Sequence, residues 1–319
     1  MRVAAGLRLP SVEGAAVWAF STLAIIVALA IFLVGYDALA ANLAKLSLAT
    51  FALCLVLMVW QLGARFLRWL WYARCLGLRL SPYEGALFYA AGLGMTMTPG
   101  RLGEVLRLWF LEKRFAVPYR RIAGLYVMDR ISDASAYFIL FAIGSLTYGY
   151  VSPVAWSGMA VVLLLILLLM KPGPVFALLN ATYALLGRGR KLVLWLRRAV
   201  RNTSTLSQPR VFLPGLAVGA VGWLAAPAVL TLALAQMGVG LSFLHATAIY
   251  AAGALVGGAT MLPGGGGGTE AVLIGLLGLS DVPIDAAVAA VIVTRVTFLW
   301  VPVGLGIIAL PMAIKAVSR

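Results

Sequence analysis

Pro263-Gly264-Gly265-Gly266-Gly267-Gly268-Thr269-Glu270 interrupts an apolar run, and an earlier stretch, Pro99-Gly100-Arg101-Leu102-Gly103-Glu104, does the same. Each follows a Gly- and Ala-rich approach and precedes a short apolar piece. Each is also followed by an arginine at nearly the same distance, Glu104 to Arg130 being 26 positions and Glu270 to Arg295 being 25. The glutamates lie 166 positions apart and the arginines 165, about half of the 319-residue chain. That offset reads as an internal duplication with a proline-glycine-glutamate break at the centre of each half.

Composition sets the class around these breaks. The chain is 63% hydrophobic and 11% charged, with a mean hydropathy of +1.02. A soluble fold of this length has no use for so much apolar surface, so the expectation is an all-α polytopic integral membrane protein. The net charge is +15. In a soluble protein such an excess would suggest nucleic acid; here no nucleic-acid partner is expected, because membrane topology accounts for the charge. Cys54 and Cys75 have neither metal-ligand spacing nor a disulfide context. Arg2 and Arg8 precede an apolar run that lacks a small-residue cleavage site, so that run reads as a retained span. No P-loop is present, and no cofactor or metal is expected.

The apolar runs predict about six crossings. They are Ala15–Tyr36, Leu46–Leu62, Ile122–Tyr150, Val154–Met170, Val211–Met237 and Ala286–Ile314. Asp37, Asn42 and Lys45 mark a polar turn after the first. Arg65, Arg68, Trp69, Trp71, Tyr72, Arg74 and Arg79 suit an interfacial helix with its rings at headgroup level. Ser81, Pro82 and Glu84 carry an N-cap signature. They open a short run, Tyr83–Thr98, that pairs across the first break with Glu104–Leu111. Phe243–Leu262 and Ala271–Leu279 flank the second break. Two short apolar pieces around a glycine break predict a re-entrant helical hairpin in each half. Residues 171–210 hold eight basic residues and no acid, with Leu192, Trp195, Leu196 and Ala199 at helical spacing, and read as an amphipathic cytoplasmic connection. The result is a single transmembrane domain, 1–319, with repeat halves at roughly 46–170 and 211–315.

Placing both termini in the cytoplasm puts every basic cluster inside and leaves Asp37, Asp281 and Asp285 outside. The first hairpin then enters from the cytoplasm and the second from outside, which gives an inverted-topology repeat. Eight ionisable residues fall at membrane depth: Arg101, Glu104, Arg107, Asp129, Arg130, Asp133, Glu270 and Arg295. Each costs on the order of 2.5–3.5 kcal/mol at a helix centre, so each is expected to face protein or a wet cavity and to find a partner. Two readings stand for the pairs Glu104–Arg130 and Glu270–Arg295: braces between hairpin and neighbouring helix, or contacts to an anionic ligand. Gly264, Gly265, Gly266, Gly267 and Gly268 permit positive φ and lead into a helix start whose N–H groups favour an anion. Thr269 and Glu270 can instead cap that helix themselves. His245, the one histidine, has no Ser/His or metal-type neighbours in sequence and reads as a capping or packing residue.

The ordered set Pro99-Gly100-Arg101-Leu102-Gly103-Glu104, Asp129-Arg130 with Asp133, Leu262-Pro263-Gly264-Gly265 through Glu270, and Arg295 resembles the flippase-like family, best known from the transmembrane domain of lysylphosphatidylglycerol synthase. The resemblance covers nearly the whole chain. It implies a multi-pass protein of the bacterial inner membrane that moves a lipid between leaflets and is not an enzyme. The lipids it implies are aminoacylated phospholipids or polyprenyl- or hopanoid-linked lipids. Anionic headgroups would meet Arg101, Arg130 and Arg295 in a cavity between the hairpins. No soluble aminoacyl-transferase domain is expected here, so a separate lipid-synthesising enzyme is the partner it implies. The alternative from the residues alone is an ion- or proton-coupled carrier with Glu104, Asp129, Asp133 and Glu270 as relays. An intramembrane lipid-modifying enzyme fits less well.

Overall fold

The computed structural model describes residues 12–97, 102–146, 205–260 and 262–318, with Ser157, Ala160 and Thr203 besides. The expected crossing 154–170 and the basic connection 171–210 lie almost wholly outside the described residues. The described residues form helices and no strand. In order they are α1 (Val12–Val34), α2 (Tyr36–Ala44), α3 (Leu48–Cys75), α4 (Pro82–Leu93), α5 (Leu102–Phe115), α6 (Tyr119–Leu146), α7 (Pro209–Trp223), α8 (Ala225–Gln236), α9 (Phe243–Ala259), α10 (Gly268–Gly278), α11 (Ile284–Arg295) and α12 (Val301–Val317).

Local chemistry explains the boundaries. Gly35, at φ 83°, turns α1 into α2, and the pair is bent by 104°; the expected polar turn 37–45 is thus mostly a short helix. Ser47 accepts a bond from the Thr50 amide and starts α3, and Ser81 does the same for α4 with Pro82 in the first turn. The α7–α8 junction at Leu224 precedes Pro227, which has no N–H to offer the Trp223 carbonyl. One π-helical turn, Val296–Trp300, joins α11 to α12. Pro302 withholds the bond Phe298 would otherwise receive, which widens the ladder there.

Three segments, Leu48–Cys75, Pro209–Gln236 and Ile284–Val317, are long and apolar enough to cross a membrane, and the bent α1–α2 pair makes a fourth if it is one span. The protein is a multi-pass membrane protein. Helix α6 has 28 residues, long enough at roughly 42 Å, but Asp129, Arg130 and Asp133 in its middle lower its hydropathy. One expectation is corrected here. The second span does not stop at Leu62 with an interfacial helix after it; α3 runs on without interruption, and Arg68, Trp69 and Tyr72 are all buried in the protein interior. Arg65 also points inward, while Arg74 and Arg79 are exposed. No break residue other than Gly63 falls between 62 and 75, and the carboxylates of α6 supply the partners that make burial of Arg68 affordable.

The element order repeats. A 28-residue helix, α3, is followed by short α4, the first glycine break, short α5 and long α6. A 28-residue segment, α7–α8, is followed by short α9, the second break, short α10 and long α11–α12. Packing repeats as well: α4 lies against α12, α9 against α6, and α3 against α7. Small residues let these backbones approach. A Cβ on Gly94 would meet the Gly306 carbonyl carbon at 2.6 Å, and one on Gly144 would strike the backbone of α9 at Leu244 and Ala248. Gly215 and Gly219 of α7 likewise leave room for the side chains of Tyr72 and Arg68.

Candidate functional site

A cavity of about 490 Å³ opens between the two broken hairpins. Its described wall carries four arginines, Arg65 of α3, Arg107 of α5, Arg130 of α6 and Arg295 of α11, against one carboxylate, Asp133. Tyr126, Tyr137, Trp223, Tyr250 and Phe298 supply most of its aromatic surface. Gly264, Gly265 and Thr269 of the second break complete one side.

Two ion-pair systems hold the arginines. In the first, Arg68 donates from Nε and Nη2 to Asp129 Oδ1 (3.0 and 2.6 Å) and from Nη2 to Asp133 Oδ1 (2.7 Å). Asp129 and Asp133 are four apart on α6, so one helical face presents both carboxylates to one guanidinium. Arg130 Nη2 lies 3.1 Å from Asp129 Oδ2 and 2.9 Å from Asp133 Oδ2. Arg65 Nη2 lies 3.6 Å from Asp133 Oδ2, and its guanidinium sits 4.6 Å from the Trp223 ring centre. The Trp223 indole donates to Asp133 Oδ1 (2.9 Å), and the Tyr72 and Ser132 hydroxyls are 2.7 Å apart beside the cluster. The carboxylates are therefore surrounded by donors, which a low-dielectric site requires.

The second system joins the later break to α11. Arg295 Nε donates to Glu270 Oε1 (2.7 Å), and Arg295 Nη2 donates to the Gly264 carbonyl (2.8 Å). Gly264, Gly265 and Gly267 have φ of 60°, 69° and 80°, so the expected use of positive φ is real at these positions. Gly267 is the N-cap of α10 and has no side-chain cap bond. Thr269 and Glu270 therefore do not cap the helix; the Glu270 carboxylate is turned to Arg295 instead. The expected Glu270–Arg295 contact is present.

The remaining expected site residues divide clearly. Arg107, Arg130, Asp133, Gly264, Gly265, Thr269 and Arg295 meet at the cavity. Asp129 and Glu270 are buried as counter-ions, and Gly266, Gly267 and Gly268 shape the turn away from the described wall. Arg101 and the side chain of Glu104 lie outside the described residues, so the expected contact of Glu104 with Arg130 or Arg107 does too. The acids seen with Arg130 belong to its own helix. Sequence reasoning missed Arg65 and Arg68. Charge balance was the available signal: two buried aspartates one turn apart need more than Arg130, and Arg65 and Arg68 share a helix face one turn apart. His245 packs at the far end, its Nε2 3.2 Å from Ser280 Oγ.

Among known proteins, a 77-residue stretch is 39% identical to atrial natriuretic peptide receptor 2 of Bos taurus, covering 24% of this chain and 7% of the receptor. The chain thus spans less than a tenth of that relative's length, and so local a likeness carries no functional argument. The family model described as the lysylphosphatidylglycerol synthase TM region matches residues 18–306. The glycine breaks, the Asp129-Arg130 pair and Arg295 that first suggested this family all lie within that match, and the chain belongs to the lysylphosphatidylglycerol synthase TM region family.

Proposed function

We propose that this chain translocates an anionic or modified membrane lipid, a phospholipid or a polyprenyl- or hopanoid-linked lipid, between leaflets of the bacterial inner membrane. The observation that carries this reading is the cavity wall of Arg65, Arg107, Arg130 and Arg295 between two broken hairpins of a membrane protein. Guanidinium groups in a low-dielectric pocket bind phosphate through paired, charge-assisted bonds. The aromatic surface suits the apolar part of a headgroup region.

An inverted repeat with six crossings is part of the proposal, and three observations support it. The element order and the packing pairs recur in both halves. The mouth of the first hairpin is tied by Arg114 Nε to Glu84 Oε1 (2.9 Å), at the end where Trp71 of α3 donates to the Val211 carbonyl of α7. The mouth of the second is tied by His245 and Ser280, and near it α11 begins with Asp285, which accepts from Asn42 (2.8 Å). Since α3 leads from the Asn42 end to the Trp71 end, these contacts support hairpins that open at opposite ends, as in inverted-repeat transporters. Of the four acids that the relay reading needs, the three described side chains, Asp129, Asp133 and Glu270, each accept from arginine.

Proteoliposomes carrying a fluorescent anionic lipid in one leaflet test the function. Wild-type protein is expected to move the lipid well above protein-free vesicles, and Arg130→Lys or Arg295→Lys to slow it while expression holds, because lysine keeps the charge and loses the fork. Failure to move any of several headgroup classes, with transport of a soluble ion instead, would replace the lipid reading by the carrier.

A further inference from the structure

Arg107 differs from the other cavity arginines. Arg65, Arg130 and Arg295 each contact a carboxylate, as does Arg68 behind the wall. Arg107 is 3% exposed, and no carboxylate among the described residues bonds to it; its Nε, like that of Arg65, has no hydrogen-bond partner. Its guanidinium lies 3.8 Å from the centre of the Tyr89 ring. That ring is fixed in turn by Phe66 and Trp69, with centroids 5.7 and 5.9 Å away. The Tyr89 hydroxyl is also buried without a partner. Stacking holds a guanidinium in place and leaves its in-plane N–H groups for something else. A buried charge with no counter-ion is costly, so its retention points to an anion that arrives and leaves.

We infer that Arg107, presented by Tyr89, is the phosphate seat of the cavity, and that the cavity selects a net-anionic lipid over an aminoacylated, cationic one. This rests on the lipid-translocase reading above. The selection follows from the rest of the wall. An ammonium group entering here meets Arg65, Arg130 and Arg295, and the one described carboxylate of the wall, Asp133, already accepts from Arg68 and Trp223 and lies beside Arg65 and Arg130. A phosphodiester meets the opposite situation. The aminoacylated product named in the family's description is thus the poorer fit to this chain's cavity, and the unmodified anionic lipid the better one.

The test uses the purified full chain in detergent and measures binding by calorimetry, apart from transport. The probes are short-chain phosphatidylglycerol, short-chain lysylphosphatidylglycerol and inorganic phosphate. The anionic lipid is expected to bind at least about tenfold tighter than the cationic one. Arg107→Gln should weaken anionic-lipid binding by about tenfold or more, with Arg107→Lys between. Thermal unfolding separates a seat from a brace: removing a buried charge that no described carboxylate bonds to should leave the unfolding temperature unchanged or raise it. Arg107→Gln binding like wild type, Arg107→Gln unfolding earlier than wild type and Arg107→Lys, or equal binding of both lipids each overturns the inference. Inorganic phosphate bound as tightly as the lipid, and in an Arg107-dependent way, upholds the seat and overturns the lipid reading. Arg107-dependent lipid binding without movement in vesicles does the same for transport.

Discussion

Glu270 and Arg295 show how a residue can be a brace and a site wall together. The pair is nearly buried, each side chain 11% exposed, and Arg295 also holds the Gly264 carbonyl. Arg295→Gln removes both bonds and leaves a buried carboxylate; the expected loss is about 3–5 kcal/mol, read as a lower unfolding temperature in detergent. Arg295→Lys should recover part of it. Arg68 is the stricter case. Its side chain is fully buried between Asp129 and Asp133, so Arg68→Met removes three of the bonds those carboxylates accept and leaves them to Arg65 and Arg130. That variant is expected to unfold at a lower temperature in detergent, by a loss of about 3–5 kcal/mol, with Arg68→Lys between it and wild type. An unchanged unfolding temperature for Arg68→Met would contradict this. The contrast with Arg107 is informative: one arginine is held between two acids, and the other is bonded by no carboxylate among the described residues. Spacing and hydropathy in the sequence singled out Arg107, Arg130 and Arg295, and all three line the cavity. The sequence could not rank them, because a partner from another helix is invisible to spacing.

At the scale of elements, the glycine breaks were legible and the extent of α3 was not. Five glycines in a row have few uses other than backbone freedom, and Gly264, Gly265 and Gly267 use it. Alanine at Gly264 or Gly265 is expected to cost roughly 1–2 kcal/mol from the left-handed backbone alone. The Gly264 substitution should also disturb the Arg295 bond, so lipid movement should fall further than stability does; the vesicle assay and thermal unfolding on the same preparation check that. Helix α3 was misjudged because Arg65, Trp69, Trp71 and Tyr72 have the composition of a membrane interface, and composition does not say whether carboxylates wait in the interior. Glu84 is a milder feature of the first hairpin. The hydrogen bond from Arg114 is the main cause holding its carboxyl below the usual carboxylate range, with the Ser81 hydroxyl adding to it. A depressed carboxyl stabilises the fold above its ordinary pKa and loses that contribution as pH falls through the depressed one. Both side chains are partly exposed, 47% for Arg114 and 26% for Glu84, so Glu84→Gln should cost only about 0.5 kcal/mol near neutral pH. The difference from wild type should shrink as pH falls below the ordinary glutamate value of about 4.3 and vanish only below the depressed one, and a thermal series across pH checks it.

For the whole molecule, the half-chain offset in sequence becomes a repeated order of long helix, short helix, break, short helix and long helix. The proposed inverted arrangement makes a definite statement about sidedness. Single cysteines at 151–153 and 281–285 are expected to react with an impermeant thiol reagent from outside, and cysteines at 112–114 from the cytoplasm only; labelling of either outer turn from the cytoplasm only would contradict it. Hydropathy alone led to about six crossings, while three segments, or four with the bent pair, satisfy length and apolarity among the described residues. The difference at α6 comes from its charges, of which Arg130 and Asp133 line the cavity and Asp129 pairs with Arg68. The central claim is that the space between the two hairpins receives an anionic lipid headgroup at its arginine wall. A cryo-electron-microscopy map of the protein in nanodiscs of anionic lipid measures this most directly. The account predicts headgroup density inside the cavity, with a phosphate in contact with Arg107 and near Arg65, Arg130 or Arg295. A well-ordered cavity holding only water, with lipid density confined to the outer helix faces, would contradict it.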